Sequence, residues 1–365
     1  MKNREAIVKP SFLATGIGSM PFTDARYAAE LSLKRFGEAP YWPQLPRLGL
    51  CEQMNVQYTE GMPGIVIDKE RNKIYFDTRQ DTSEVFAEFY EKYFSAMEGG
   101  GGDFSAMGVS EEYSRGIYAF EEALRGSPPR GRGGKPAFVK VQTTGPCSFT
   151  LGVTDEKEQS IFYNREFREM AVKALAMKCR WQIRKFAAYA ERVICFVDEP
   201  VLSAYGSSTY IAVSREDMVA MLAEVIEAIH ADGAIAGVHC CGNTEWSILV
   251  DAGADIVNFD AFEFGETIGL YPEAVKEHFG RGGMLAWGIV PTSEAIREQS
   301  TESLAELLER MMDNLASKGI DKGLIAERAL ITPSCGAGSM EAADAERVFE
   351  LTSELSKVMR KKYGE

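Results

Sequence analysis

The run Gly237-Val238-His239-Cys240-Cys241-Gly242-Asn243 holds the residues best suited to chemistry. It follows Ala234-Ile235-Ala236, an apolar stretch after the helix-stopping Gly233, and ends in Gly and Asn, so it reads as a buried strand entering a loop. Side chains of a strand alternate between faces, which sends His239 and Cys241 one way and Cys240 the other. An imidazole and a thiolate aimed together are two ligands of a zinc ion. Cys335, in Thr332-Pro333-Ser334-Cys335-Gly336 after the last apolar run, is the expected third. Asp260, at the end of the next strand, and Glu263, slightly later, compete for the fourth position. Ligands so far apart in sequence meet only in the folded chain, which suits a catalytic ion with an exchangeable position rather than a structural knuckle. A thiolate-rich zinc is a poor activator of water, but it holds an incoming thiol as a thiolate at neutral pH. The expected reaction is alkyl transfer to sulfur.

The elements that must position these groups form a regular alternation. Strand-like runs at Phe138–Pro146, Val193–Pro200, around His239, at Asp255–Asp260, Met284–Pro291 and Ala329–Gly336 are separated by helical patterns, including one over Arg165–Glu191, one capped by Ser214 and a terminal helix to Lys362. Thr144, Asp198, Glu199, His239, Cys241, Asp260 and Cys335 sit at the carboxyl ends of these runs, the face where α/β barrels carry their chemistry. The expected fold is therefore an α/β, (β/α)8 TIM barrel forming a single domain over 1–365, with hairpin and loop insertions near its N-terminus. Phe12–Thr15 reads as the first strand, Asp24 opens a helix through Phe36, and Leu48–Thr78 reads as extended, with a hairpin at Gly64–Phe76. A helix over Ser83–Met97 runs into Gly99–Gly102, Phe104–Met107 reads as another strand, and Arg125–Pro136 as a solvated loop. Gly16-Ile17-Gly18 lacks the third glycine of a dinucleotide-binding turn.

Composition narrows the partners. A formal charge of -14 over 365 residues argues against a nucleic-acid groove, which needs clustered Lys and Arg. No run is long enough to span a membrane, and the N-terminus shows no apolar signal core, so the expectation is a cytoplasmic protein. Seven cysteines, two of them adjacent, make no disulfide framework and fit a reducing compartment.

Ile17-Gly18-Ser19-Met20-Pro21, Thr144-Gly145-Pro146, Val197-Asp198-Glu199-Pro200, His239-Cys240-Cys241 and Pro333-Ser334-Cys335-Gly336 occur in an order that resembles the catalytic domain of cobalamin-independent methionine synthase, whose barrel is similar to that of the uroporphyrinogen decarboxylase superfamily. The resemblance implies zinc on His239, Cys241 and Cys335, with Asp260 or Glu263 as the carboxylate ligand. It also implies that Ile17, Ser19 and Asp198 hold the amino-acid end of homocysteine; Glu52, in Leu50-Cys51-Glu52-Gln53-Met54, is a weaker candidate for a second contact to the ammonium. The chain departs from the pattern in three ways: it has room for one barrel only, Cys147-Ser148-Phe149 stands where the family has a folate-site Trp, and Trp287–Thr292 lacks the family's His-Ser-Pro acid. A tertiary amine leaves poorly without an acid, whereas a methylated corrinoid needs none. The expectation is thus a zinc-dependent thiol S-methyltransferase making methionine from homocysteine, with a methylcorrinoid donor carried by a partner protein. Alternatives are a folate-dependent methionine synthase, a uroporphyrinogen decarboxylase-like enzyme, and a non-catalytic zinc- or corrinoid-binding protein.

Overall fold

The computed structural model describes residues 9–97, 104–126, 134–207, 210 and 212–364. The chain opens with the short strand β1 (Leu13–Ala14) and the helix α1 (Ala25–Arg35), which Asp24 caps by accepting from the Tyr27 N–H at 3.0 Å. The expected hairpin forms as β2 (Ile65–Asp68) and β3 (Lys73–Phe76), antiparallel, followed by α2 (Ser83–Met97) and α3 (Arg115–Gly126). Then comes the alternation: β4 (Phe138–Thr144), α4 (Pro146–Gly152), the short β5 (Thr154–Asp155), α5 (Arg165–Phe186) and β6 (Arg192–Asp198). It continues through α6 (Arg215–Ala231), β7 (Ile235–Cys240), α7 (Ser247–Asp251), β8 (Ile256–Phe259), α8 (Ala261–Phe264), α9 (Pro272–Gly280) and β9 (Met284–Val290). The last elements are α10 (Thr301–Ser317), α11 (Lys322–Glu327), β10 (Ala329–Pro333) and α12 (Ala342–Tyr363).

Two sequence expectations are corrected. Ser105–Met107 is a 3-10 turn, not a strand, and the start of the region expected to be extended folds into 3-10 turns at Pro46–Leu48, Leu50–Glu52 and Val56–Tyr58. The apolar residues of these stretches, among them Val56, Tyr58 and Met107, are buried by packing on neighbouring elements rather than by strand pairing. Gly99–Gly102 and much of the Arg125–Pro136 loop lie outside the described residues.

Seven strands pair in parallel in the order β1-β10-β9-β8-β7-β6-β4, and β2, β3 and β5 form a separate small sheet. Strands β4, β7, β8, β9 and β10 are buried at every residue, as expected where both faces of a parallel sheet are covered. One face, including Val139, Val141, Val193, Cys195 and Val197, belongs to the main core with the helices. The other forms a second apolar cluster with at least one residue from each of the seven strands: Leu13, Phe138, Ile194, Phe196, Ile235, Ile256, Met284, Ala286 and Leu330, joined by Ala39.

Among the described residues, the eighth strand of the expected barrel is not one of the hydrogen-bonded strands, and β1 and β4 are the edges. Between them runs the segment 38–44. It accepts from β4 at Glu38 O (Phe138 N–H) and Pro40 O (Lys140 N–H), both 2.9 Å. On the other side it meets the stretch after β1 through Gln44 N–H to Gly18 O at 3.0 Å and Met20 N–H to Gln44 O at 2.9 Å. Pro40 and Pro43 have no N–H to give, which breaks the ladder into isolated bridges.

Candidate metal-binding site

β7 carries His239 as its penultimate residue, and Cys241 begins the loop beyond it; Cys335 lies two residues past the end of β10. One ligand atom from each of His239, Cys241 and Cys335 lies within 4.8 Å of the others. Cys240 points elsewhere, its sulfur 3.5 Å from the carbonyl of Gly242, so the predicted alternation holds. The imidazole is buried. Its Nδ1 lies 2.6 Å from Asn258 Oδ1, while Nε2 is buried with no hydrogen-bond partner. Asn258 lies opposite His239 on the paired strand β8, so parallel register sets this contact.

These groups perturb one another. The nearness of Cys335 and of His239 draws the Cys241 thiol well below its ordinary range, and the nearness of Cys241, with burial, pushes Cys335 far above it. Burial pulls His239 down, but Cys241 and the charge of Asp198 outweigh it and leave the ring raised. Asp198, at the end of β6, is raised by burial against the pull of His239 and Lys140, and its Oδ1 is buried without a partner. A thiolate, a second thiol and an imidazole lone pair with no protein donor hydrogen-bonded to it form a ligand set suited to a soft divalent ion.

The cluster of potential ligands among the described residues contains neither Asp260 nor Glu263. Asp260 instead caps α8, its Oδ1 accepting from the Glu263 N–H at 3.0 Å, and burial raises it to about 6. Glu263, in the first turn of that helix, is exposed.

The cluster opens into a pocket of about 330 Å³. Ile17, Ser19, Glu52 and Asp198, all expected from the sequence, line it together with His239, Cys241 and Cys335. Ser19 is fixed by the loop after β10: its carbonyl accepts from Ala337 N–H at 3.0 Å and its hydroxyl from Gly338 N–H at 3.2 Å. Glu52 is buried, accepts from Arg115 N–H at 2.9 Å, and is raised to about 7 by burial. Among the described residues, no Lys or Arg lines the pocket.

Sequence reasoning gave no role to Gln44, Met54, Pro200, Gly336 and Ser339, which also line it, or to the buried Lys140, and it placed Glu199 at a strand end without its partners. Lys140 is fully buried and donates to Ile17 O and, at 3.0 Å, to Gln142 Oε1. Burial lowers it to about 8. Its place in an apolar strand run was a visible signal, because a lysine there must find acceptors. Glu199 accepts from Cys147 N–H at 2.8 Å and from Ser148 N–H and Oγ at 2.7 Å, tying the start of α4 to the turn after Asp198. Gln44 and Met54 sit in irregular backbone and gave no periodic signal.

No helix among the described residues is long and apolar enough to cross a membrane. No protein-family model and no curated protein matches the chain. Among solved structures it is similar to 2,3-dimethylmalate lyase, a PEP mutase/isocitrate lyase superfamily member, at 12% identity and a TM-score of 0.36, over 98% of this chain and 96% of that one. It is also similar to a fructose-1,6-biphosphate aldolase described as putative from Coccidioides immitis (12% identity, TM-score 0.28, 67% and 82% coverage). A third is the YdjI aldolase from Escherichia coli K12 (13% identity, TM-score 0.25, 68% and 85% coverage). These titles name a lyase and two aldolases and no thiol S-methyltransferase, against the class expected from the sequence. At such identities and scores the neighbours lend this chain no chemistry of their own.

Proposed function

We propose that His239, Cys241 and Cys335 bind one zinc ion and that the pocket in front of them receives a small amino-acid thiol, homocysteine being the best fit. The observation that carries this reading is the buried Nε2 of His239, unpartnered and grouped with two sulfurs within 4.8 Å. When bound, zinc lowers the pKa of a coordinated thiol so that the sulfur is held as a thiolate, a strong nucleophile, at neutral pH.

The chain's own residues supply the rest. Asn258 holds Nδ1 of His239 and keeps the other nitrogen free for the ion. Asp198, buried at the pocket wall with an unused oxygen, accepts from the ammonium of the thiol substrate, and Glu52 offers a second carboxylate. The Ser19 hydroxyl and the backbone of the loop after Cys335 face the carboxylate. A pocket wall without Lys or Arg favours a zwitterion over a phosphorylated or polyanionic substrate. Barrel closure belongs to the same reading: the seven strands, the bridging segment 38–44 and the shared apolar cluster support an eight-membered barrel whose eighth stave is broken by Pro40 and Pro43.

Metal analysis of the purified protein tests the first half: about one zinc per chain is expected, with loss in His239→Ala and Cys335→Ala. The cobalt(II)-substituted protein tests the second. Adding homocysteine should intensify its sulfur-to-cobalt absorption, and methionine, whose sulfur carries no ionisable proton, should not. Unchanged spectra at saturating homocysteine would sink the thiol reading while leaving the metal site standing.

A further inference from the structure

We propose that a cleft at the other end of β1, between the last turn of α1 and the final turns of α12, binds the phosphate group of a small anion. It encloses about 440 Å³ and is lined by Leu13, Ala14, Lys34, Arg35, Glu38, Lys357 and Arg360 among others. It shares no lining residue with the metal pocket, which meets the chain beyond β1 at Ile17 and Ser19.

The charges are what single it out. The chain carries a formal charge of -14, yet four cations and one carboxylate line this cleft. Glu38 is engaged by Arg360. Arg35 reaches Glu350 through one terminal nitrogen at 3.4 Å, while its Nε is buried with no acceptor. Among the described residues, neither Lys34 nor Lys357 forms an ion pair, and both are exposed on the cleft wall. Cations in the last turn of a helix offset its dipole, which accounts for Lys34 and Arg35 being there. It does not give the buried Nε an acceptor, nor does it bring Lys357 from a second helix to the same cleft. A buried guanidinium N–H without a partner is unfavourable, and an oxyanion held against the guanidinium relieves it.

A phosphate monoester carries about −1.5 to −2 charges at pH 7 and three acceptor oxygens, which matches the Arg35 guanidinium, the ammonium groups of Lys34 and Lys357 and the Ser353 hydroxyl better than a single carboxylate does. The cleft volume lies in the range of small-molecule sites, larger than a lone ion needs.

Calorimetric titration with inorganic phosphate and with glycerol 3-phosphate, at ionic strength fixed with chloride, tests this. Saturable binding is expected, weakened about tenfold by Lys357→Met and lost in Arg35→Met. Lys357 is exposed, so its variant should fold as the wild type does and keep its zinc content. Tighter binding of the ester would identify a phosphorylated metabolite as the occupant, and equal binding the free ion; both support the site. Non-saturable heats with both probes, or binding unchanged in Lys357→Met, would overturn it.

Discussion

The Nδ1 of His239 lies 2.6 Å from Oδ1 of Asn258, and the amide nitrogen of Asn258 is itself committed, donating to Ala286 O at 2.8 Å and Thr332 Oγ1 at 2.9 Å. Three strands thus decide which nitrogen of one imidazole is free. With its NH2 fully used, the amide presents only its oxygen to the ring, so Nδ1 carries the proton and Nε2 the lone pair. Replacing Asn258 with Leu removes that constraint while filling the volume. Zinc affinity should fall about 10–100-fold. Competition with a chromophoric chelator measures it; an affinity equal to wild type would mean that packing alone orients the ring.

Asp198 makes a separable prediction. Its side chain is not one of the grouped metal ligands, but it lines the pocket with a buried, unpartnered oxygen. Asp198→Asn should leave zinc content intact and weaken homocysteine about tenfold or more, as expected for losing one charge-assisted hydrogen bond. A thiol without the amino group, such as 4-mercaptobutanoate, should bind both proteins alike. Because burial raises the Asp198 pKa, wild-type affinity for homocysteine should weaken as pH falls through that raised value, and the Asn variant should lack this limb.

Glu199 predicts how stability depends on pH. It is fully buried and raised to about 7 by desolvation, against an ordinary carboxyl value of 4.5. Between those values the folded chain holds a proton that the unfolded chain has released, so unfolding loses protons and stability falls as pH rises. The contribution is fully present below pH 4.5 and lost by passage through about 7. Its size is on the order of 3 kcal/mol, taking 1.36 kcal/mol per pKa unit. Glu52, also raised to about 7, acts in the same direction. Urea melts of wild type and Glu199→Gln at pH 5 and 7.5 check it: the variant should show a flatter profile, and parallel profiles would assign the slope to other groups.

Much of this was legible in the sequence, for local reasons. Strand alternation separated Cys240 from His239 and Cys241, and apolar runs ending in polar residues placed Asp198 and Cys335 at one end of the sheet. What failed had two competing local readings. Asp260 and Glu263 have the spacing of a helix N-cap and the residue three further on, and capping α8 won over reaching the metal cluster. The run from Ala39 to Gln44 carries two prolines, which hid a segment that touches both edges of the sheet. Asn258 was invisible as a site residue because its role rests on register against β7, which no spacing along the chain reveals.

Gly336 offers a test that separates backbone fit from recognition. A Cβ placed there would stand 2.1 Å from Ser19 Oγ and 3.4 Å from Ser19 Cβ, so the hydroxyl is the chief obstacle. Gly336→Ala should therefore destabilise the fold by about 1–3 kcal/mol through overpacking. Removing the hydroxyl clears the space, so Ser19→Ala combined with Gly336→Ala should recover most of that loss in urea melts, a non-additivity expected of side chains in contact. Homocysteine affinity should not recover, because the Ser19 hydroxyl assigned to the substrate carboxylate is gone in the double variant. If the double variant regains both stability and affinity, Ser19 serves only as a spacer for the loop after Cys335, and the carboxylate must be held elsewhere in the pocket.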